Sequence, residues 1–284
     1  MRLALAAAFA LLLTPAAALA QPASAQAMYA ERRGMLELDR RCQLFSADIH
    51  AALEAGAGQA RGALLRGGWT LSRVGELERA AIGAARARAC NDPRTVASAA
   101  QARSAFTSWT RMSAMSFPGA HRVWEARRVA YADGWRLRQD IDAPRRASFG
   151  VRDSGEGQAL TLILPLAGDE RGPGAAQLLL RDPSRASPAV FDLRGRLASG
   201  LAAGAPAPAN ARSFFANDRR VERAQNGQAL LFTFPDAAFQ AMLALDPREA
   251  AEIRLSNGEQ TQRLLIEIGD LSAARAFLVI GAGA

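Results

Sequence analysis

The chain has 284 residues, enough for two modest domains, and with 50% apolar and 22% charged residues it is not a collagenous, low-complexity or largely disordered polypeptide. All 35 basic residues are arginine, so a phosphate-loop lysine, a Schiff-base lysine and a Ser-Lys dyad are excluded. The formal charge of +8 and the pI near 11.0 reflect a gap in the titration curve, because without lysine almost nothing loses a proton between neutrality and arginine itself.

The surplus is also spread out. Residues 21–118 carry 13 arginines against 8 acids, and residues 119–284 carry 21 against 19. A nucleic-acid module would concentrate its cations in a stripe with interleaved aromatic residues. The doublets Arg32-Arg33, Arg40-Arg41, Arg127-Arg128, Arg145-Arg146 and Arg219-Arg220 each have acids nearby. They are expected to be solvated, ion-paired faces.

In chain order, Arg2 precedes an apolar run over 3–13, followed by Pro15 and Ala18-Leu19-Ala20. This layout predicts a signal peptide over residues 1–20, cleaved near Ala20, and hence a periplasmic or secreted protein. The run is too short to cross a membrane of about 30 Å, and no later stretch reaches about 18 apolar residues. Residues 21–27 read as a flexible lead. Export also predicts a disulfide between the only cysteines, Cys42 and Cys90, worth about 3–4 kcal/mol by loop closure; two buried free thiols are the alternative.

Residues 28–117 are expected to form a helical domain. Met35, Leu38, Cys42, Phe45, Ile49 and Ala52 recur at steps of three and four, the seam of a first helix. Gly56, Gly58, Gly62 and Gly67-Gly68 predict its interruption, with a short helical piece over 60–65. A second helix follows over 71–89. Asn91 or Asp92 can cap a third, with Pro93 in its first turn and Val96, Ala99, Ala102, Phe106 and Trp109 on one stripe. Together they make a small bundle.

Ser116-Phe117-Pro118-Gly119 marks a change of period. Residues 135–141 alternate as a half-exposed strand does, and 160–166, 177–180, 212–216, 230–234, 253–255 and 263–268 are further strands separated by Gly, Pro, Asp and Asn. Short helices are expected over 237–245 and 271–278. The fold class is therefore α+β: a helical bundle followed, over residues 118–284, by an antiparallel, sandwich-like β-rich domain with one or two short helices.

With His50 and His121 as the only histidines, HExxH and three-histidine metal sites are excluded, and no metal or cofactor is expected. Cys42 and His50 stand eight positions apart, too far along one helix for a nucleophile to meet its base. Glu125, Asp133, Asp140 and Asp142 lie near Trp124, Tyr131 and Trp135, the composition of a carbohydrate cleft. This makes Glu125, Asp133 and Asp140 the candidate catalytic acids of a hydrolase, with Trp124, Trp135, Arg136 and Arg138 as candidate binding residues. The competing expectation is that the tryptophans fill the seam between helices and sheet while the acids pair with Arg122, Arg127, Arg136 and Arg138.

The last third, with Leu164-Pro165-Leu166, Gln177-Leu178-Leu179-Leu180, Phe215-Ala216, residues 239–245 and Leu271-Ser272-Ala273-Ala274-Arg275-Ala276-Phe277, resembles the invasion-associated locus B family of exported proteobacterial proteins. The resemblance implies a small exported β-rich domain of binding or envelope function, with no catalytic residues to carry across. The function expected is that of a non-enzymatic binding or interaction protein of the bacterial envelope, whose partner is an envelope component or protein, an anionic one suiting the arginine surplus, and not a nucleic acid. A carboxylate-dependent hydrolase of envelope glycans is the alternative.

Overall fold

The structure, a computed structural model, describes residues 22–185 and 211–280 apart from positions 131, 143, 155, 156, 169, 225, 226 and 259. The expected signal peptide and cleavage site lie outside the described residues, as does Tyr131. The chain is α+β, with four helices leading into antiparallel sheets of seven and four strands.

The helices are α1 (Pro22–Cys42), α2 (Ala47–Arg66), α3 (Leu71–Arg86) and α4 (Pro93–Thr110). Residues 21–27 were expected as a flexible lead, but α1 begins at Pro22 and Ala25 is buried in an apolar cluster with Tyr29, Leu36, Ala57, Ala60, Leu64 and Val74. The first break also falls elsewhere than the glycines suggest. It comes at Gln43, which takes a left-handed φ of 51° while Asp39 Oδ1 accepts the Phe45 N–H at 2.9 Å. Gly56 and Gly62 instead lie inside α2, where side chains from other elements approach its backbone.

Gly68, at a φ of 88°, does end α2. Thr70 then caps α3 by accepting the Arg73 N–H, and Asp92 caps α4 by accepting that of Arg94. Cys42, at the end of α1, is bonded to Cys90, just before α4, with Cα atoms 5.6 Å apart.

The sheet begins earlier than the punctuation at 116–119 indicates, with β1 (Ala114–Pro118). It is followed by β2 (Val123–Arg127), β3 (Trp135–Ile141), β4 (Ala147–Ser154), β5 (Gly157–Leu166), β6 (Ala175–Arg181), β7 (Ala211–Phe215), β8 (Asp218–Ala224) and β9 (Gly227–Phe234). Helix α5 (Asp236–Leu243), β10 (Ala250–Asn257), β11 (Gln260–Glu267) and α6 (Leu271–Val279) complete the described chain. The large sheet runs β1-β2-β3-β4-β5-β9-β8 and the small one β11-β10-β6-β7.

Trp124, Phe149, Leu162 and Phe232 of the large sheet share one core with Leu178, Ile253, Leu264 and Ile266 of the small sheet and with Phe239, Met242, Leu271 and Phe277 of the two short helices. The indole N–H of Trp124 donates to the carbonyls of Glu267 and Ile268, each at 3.0 Å, tying the sheets at one end. The bundle meets the sandwich through α2 and α4. Arg66 is paired with Asp270 at the start of α6, and Trp109 packs edge-on against Phe277 with ring centroids 5.5 Å apart.

Candidate functional site

The carboxylates named from the sequence do not converge on a cavity. Glu125 accepts the Ser116 hydroxyl at 2.8 Å across the β1–β2 pair. Asp140 accepts that of Ser148 at 2.6 Å and lies 3.3 Å from Arg138 Nε. Asp133, in the β2–β3 turn, faces Arg138 at 3.7 Å and Arg127 at 4.0 Å. Arg136 faces Asp153 at 3.9 Å. This is a charged outer sheet face of the kind that the competing expectation described.

The aromatic half of the proposed cleft is internal. Trp124 is fully buried against Phe149, and Trp135 is also buried, because even-numbered residues of β2 and odd-numbered residues of β3 point into the sandwich. Neither indole can stack on a sugar from solvent. His121 is exposed, and its backbone N–H donates to Glu267, which places it at the sheet's end. His50 is bound through Nδ1 to Asp39 at 2.7 Å and so braces the α1–α2 junction. Among the described residues no group of three or more His, Cys, Asp or Glu could hold a metal, and no helix is long and apolar enough to cross a membrane.

The arginine doublets are largely paired, as their spacing suggests: Arg33 with Glu78 at 2.6 Å, Arg40 with Glu37 at 2.8 Å, Arg145 with Glu170 at 2.7 Å and Arg220 with Glu222 at 3.1 Å. Besides Arg219, three others reach carbonyls instead. Arg41 Nη1 donates to carbonyls at the end of α3 and just beyond it, those of Ala85, Arg86 and Arg88, at 3.1–3.3 Å. Arg128 donates to the Ile280 carbonyl and stacks over Trp109 and Phe277, at 4.8 and 4.2 Å from their centroids. Arg32 is the third.

A cleft of about 360 Å³ opens where the bundle meets the sandwich. Helix α1 supplies Met28, Glu31, Arg32 and Met35, α2 supplies Ile49, Ala52, Leu53, Gly56 and Gln59, and α4 supplies Ala102, Ala105, Phe106 and Trp109, over a floor of Met115, Phe117 and Ala273. Its origin is in the sequence. Ala52, Gly56, Ala102 and Ala105 occupy helical positions facing the gap, and their side chains are too short to fill it. Met28, Ile49, Leu53, Phe106, Trp109 and Met115 are consequently only half-buried.

On the α1 wall, Arg32 Nη1 donates to the Gly56 carbonyl at 2.6 Å. A Cβ at Gly56 would lie 3.0 Å from Arg32 Cζ and Nε, so the guanidinium rests against bare α2 backbone. Burial lowers the Arg32 pKa, and the charge of Glu31 offsets this in part. Sequence reasoning missed this site. Its stripes on α1, α2 and α4 were legible as core seams, but a seam of alanines reads the same whether or not the opposing helices close over it.

A second hollow, lined by Leu166, Glu170, Arg171, Arg219, Val221 and Gln228, lies along the β8 side of the large sheet. Two of its charges are already engaged: Glu170 pairs with Arg145, and Arg219 donates to the carbonyls of Pro173 and Arg171. No known protein family, no curated protein and no solved structure matches this chain.

Proposed function

We propose that this chain is an exported, non-enzymatic binding protein of the bacterial envelope that holds an apolar small molecule in the cleft between its helical bundle and its sandwich. The observation that carries this reading is the cleft itself. It falls in the size range of small-molecule sites, its walls are apolar and aromatic, and it stands at a junction of two substructures, where such sites concentrate.

Export agrees with the layout of residues 1–20, with the disulfide and with the absence of a membrane-spanning helix among the described residues. The resemblance of the C-terminal part to the invasion-associated locus B family points to the same compartment. A hydrolase reading has less support, since Glu125, Asp133 and Asp140 are held by Ser116, Arg127, Arg138 and Ser148 on an open sheet face.

An uncharged probe that fluoresces in apolar surroundings, N-phenylnaphthylamine, tests the reading. The purified protein should enhance its emission saturably. Ala102→Phe, which fills the cleft from α4, should abolish the enhancement without lowering the melting temperature. Absence of enhancement, or enhancement indifferent to Ala102→Phe, would overturn the assignment.

A further inference from the structure

The cleft is chemically lopsided. Of the residues described around it, only Glu31 and Arg32 are charged, and they are neighbours on α1. Glu31 is exposed and makes no ion pair with Arg32. Arg33, the next residue, is neutralised by Glu78 at 2.6 Å, whereas Arg32 forms no ion pair among the described residues and has the Gly56 carbonyl as its partner. A guanidinium offers five N–H donors in a planar fork and stays charged in any protein environment. One carbonyl engages Nη1, the rest of the fork has no hydrogen-bond partner among the described residues, and the side chain lines the cleft.

We propose, resting on the binding reading above, that the ligand is a single-chain carboxylate amphiphile, a fatty-acid-like molecule whose alkyl tail lies among the apolar walls and whose carboxylate is received by Arg32. The head follows from geometry: a carboxylate matches the guanidinium fork with two parallel hydrogen bonds, and these charge-assisted bonds are strongest where water is displaced. The tail follows from the walls. Met28 and Met115 offer flexible thioether side chains that adapt to a mobile chain, while Phe106 and Trp109 give it broad surfaces.

Gly56 belongs to the same device, because a side chain there would meet the guanidinium at 3.0 Å and displace it from its seat. The burial that lowers the Arg32 pKa acts in the same direction: it raises the gain from an incoming anion.

The experiment compares three ligands of equal tail, dodecanoate, dodecanol and dodecyltrimethylammonium, by displacement of N-phenylnaphthylamine from the purified protein, each kept below the concentration at which it forms micelles. Dodecanoate should bind about ten- to a hundredfold more tightly than dodecanol, the range of a charge-assisted hydrogen bond, and the cationic ligand most weakly. Arg32→Gln should remove the preference for dodecanoate over dodecanol, and Arg32→Lys should restore part of it.

Equal affinity for dodecanoate and dodecanol, or a preference that survives Arg32→Gln, overturns the proposal while sparing the apolar-site reading. Failure of all three ligands and of the neutral probe overturns both. Binding to vesicles of anionic phospholipid without binding of monomeric dodecanoate also overturns it, in favour of a membrane surface.

Discussion

Arg66 grips Asp270 through two parallel hydrogen bonds, Nη1 to Oδ1 at 2.7 Å and Nη2 to Oδ2 at 3.0 Å, so a single fork fastens the second helix of the bundle to the last helix of the sandwich. Both side chains are largely withdrawn from water, at 12% and 2% exposure. Burial pushes the Asp270 carboxyl up, and the hydrogen bonds and charge of Arg66 pull it back. Arg66→Leu therefore leaves a buried carboxylate without its counter-charge, at a cost of about 3–5 kcal/mol.

The pH dependence of that variant has a definite sign. A raised folded-state pKa means that the native protein holds the proton more tightly than the unfolded chain does. The penalty is absent below the unfolded value, near 3.8, and grows as pH rises from there toward the folded value. Urea unfolding at roughly pH 4 and pH 8 should show a smaller deficit for Arg66→Leu at the lower pH. An equal deficit at both would mean that Asp270 finds other compensation.

Glu37 gives the opposite sign. Arg40 and Arg86 hydrogen-bond its carboxylate, at 2.8 and 2.9 Å from Oε1, and hold its pKa down at about 2 against an ordinary 4.5. A depressed acid stabilises the fold fully above its unfolded pKa, and the contribution fades as pH falls from there toward the folded value. The melting temperature of Glu37→Gln should lie below that of the parent protein at neutral pH, and the gap should close between about pH 5 and pH 2. A gap of constant size would mean that the difference comes from packing on α1 rather than from charge.

The residues singled out around 124–140 separate into structural and surface roles. Trp124→Phe removes an indole N–H that serves two carbonyls, one buried and one part-buried, and should destabilise by about 1–3 kcal/mol in denaturant titration. Asp133→Asn and Asp140→Asn lie on the solvated sheet face and should stay within about 0.5 kcal/mol of the parent. They should also leave any binding to the junction cleft unchanged, since neither residue lines it. A loss of ligand binding on either substitution would move the site to the sheet.

These outcomes bear on how far the sequence can be read. Strands with inward apolar alternation, such as β3 with Trp135, Leu137 and Ile141, were legible because a period of two is a direct consequence of the pleat. β8 was not: Asp218, Arg219, Arg220, Glu222 and Arg223 make a charged edge with Val221 as its one large apolar side chain, and its pairing with β9 leaves no trace in its own pattern.

The glycines of α2 misled for a related reason. Glycine interrupts an isolated helix, but Gly56 makes room for Arg32, and a Cβ at Gly62 would stand 2.6 Å from Asp270 Oδ1. Both are demands of partners distant in sequence. The break at Gln43 was hidden because the apolar seam from Met35 to Ala52 keeps its phase across it.

The disulfide joins stability to the site. Cys42 and Cys90 are 48 residues apart, and their bond pins the end of α1 to the turn that starts α4, the two helices that form opposite walls of the cleft. Near it, Met35, Leu38, Ala85 and Ala99 form a small cluster of their own, so the bond constrains a region with little apolar burial. Replacing both cysteines with alanine should cost about 3–4 kcal/mol by loop closure. It should also loosen α4, which is otherwise held by Ala99 in that cluster, by Arg103 donating to the Leu44 carbonyl at 2.6 Å and by Trp109 against Phe277 at the far end, and so weaken N-phenylnaphthylamine binding even at temperatures where the variant remains folded by circular dichroism. Probe affinity that matched the parent protein after loss of the bond would show that the remaining contacts of α4 suffice to position it, and would confine the disulfide to a role in stability.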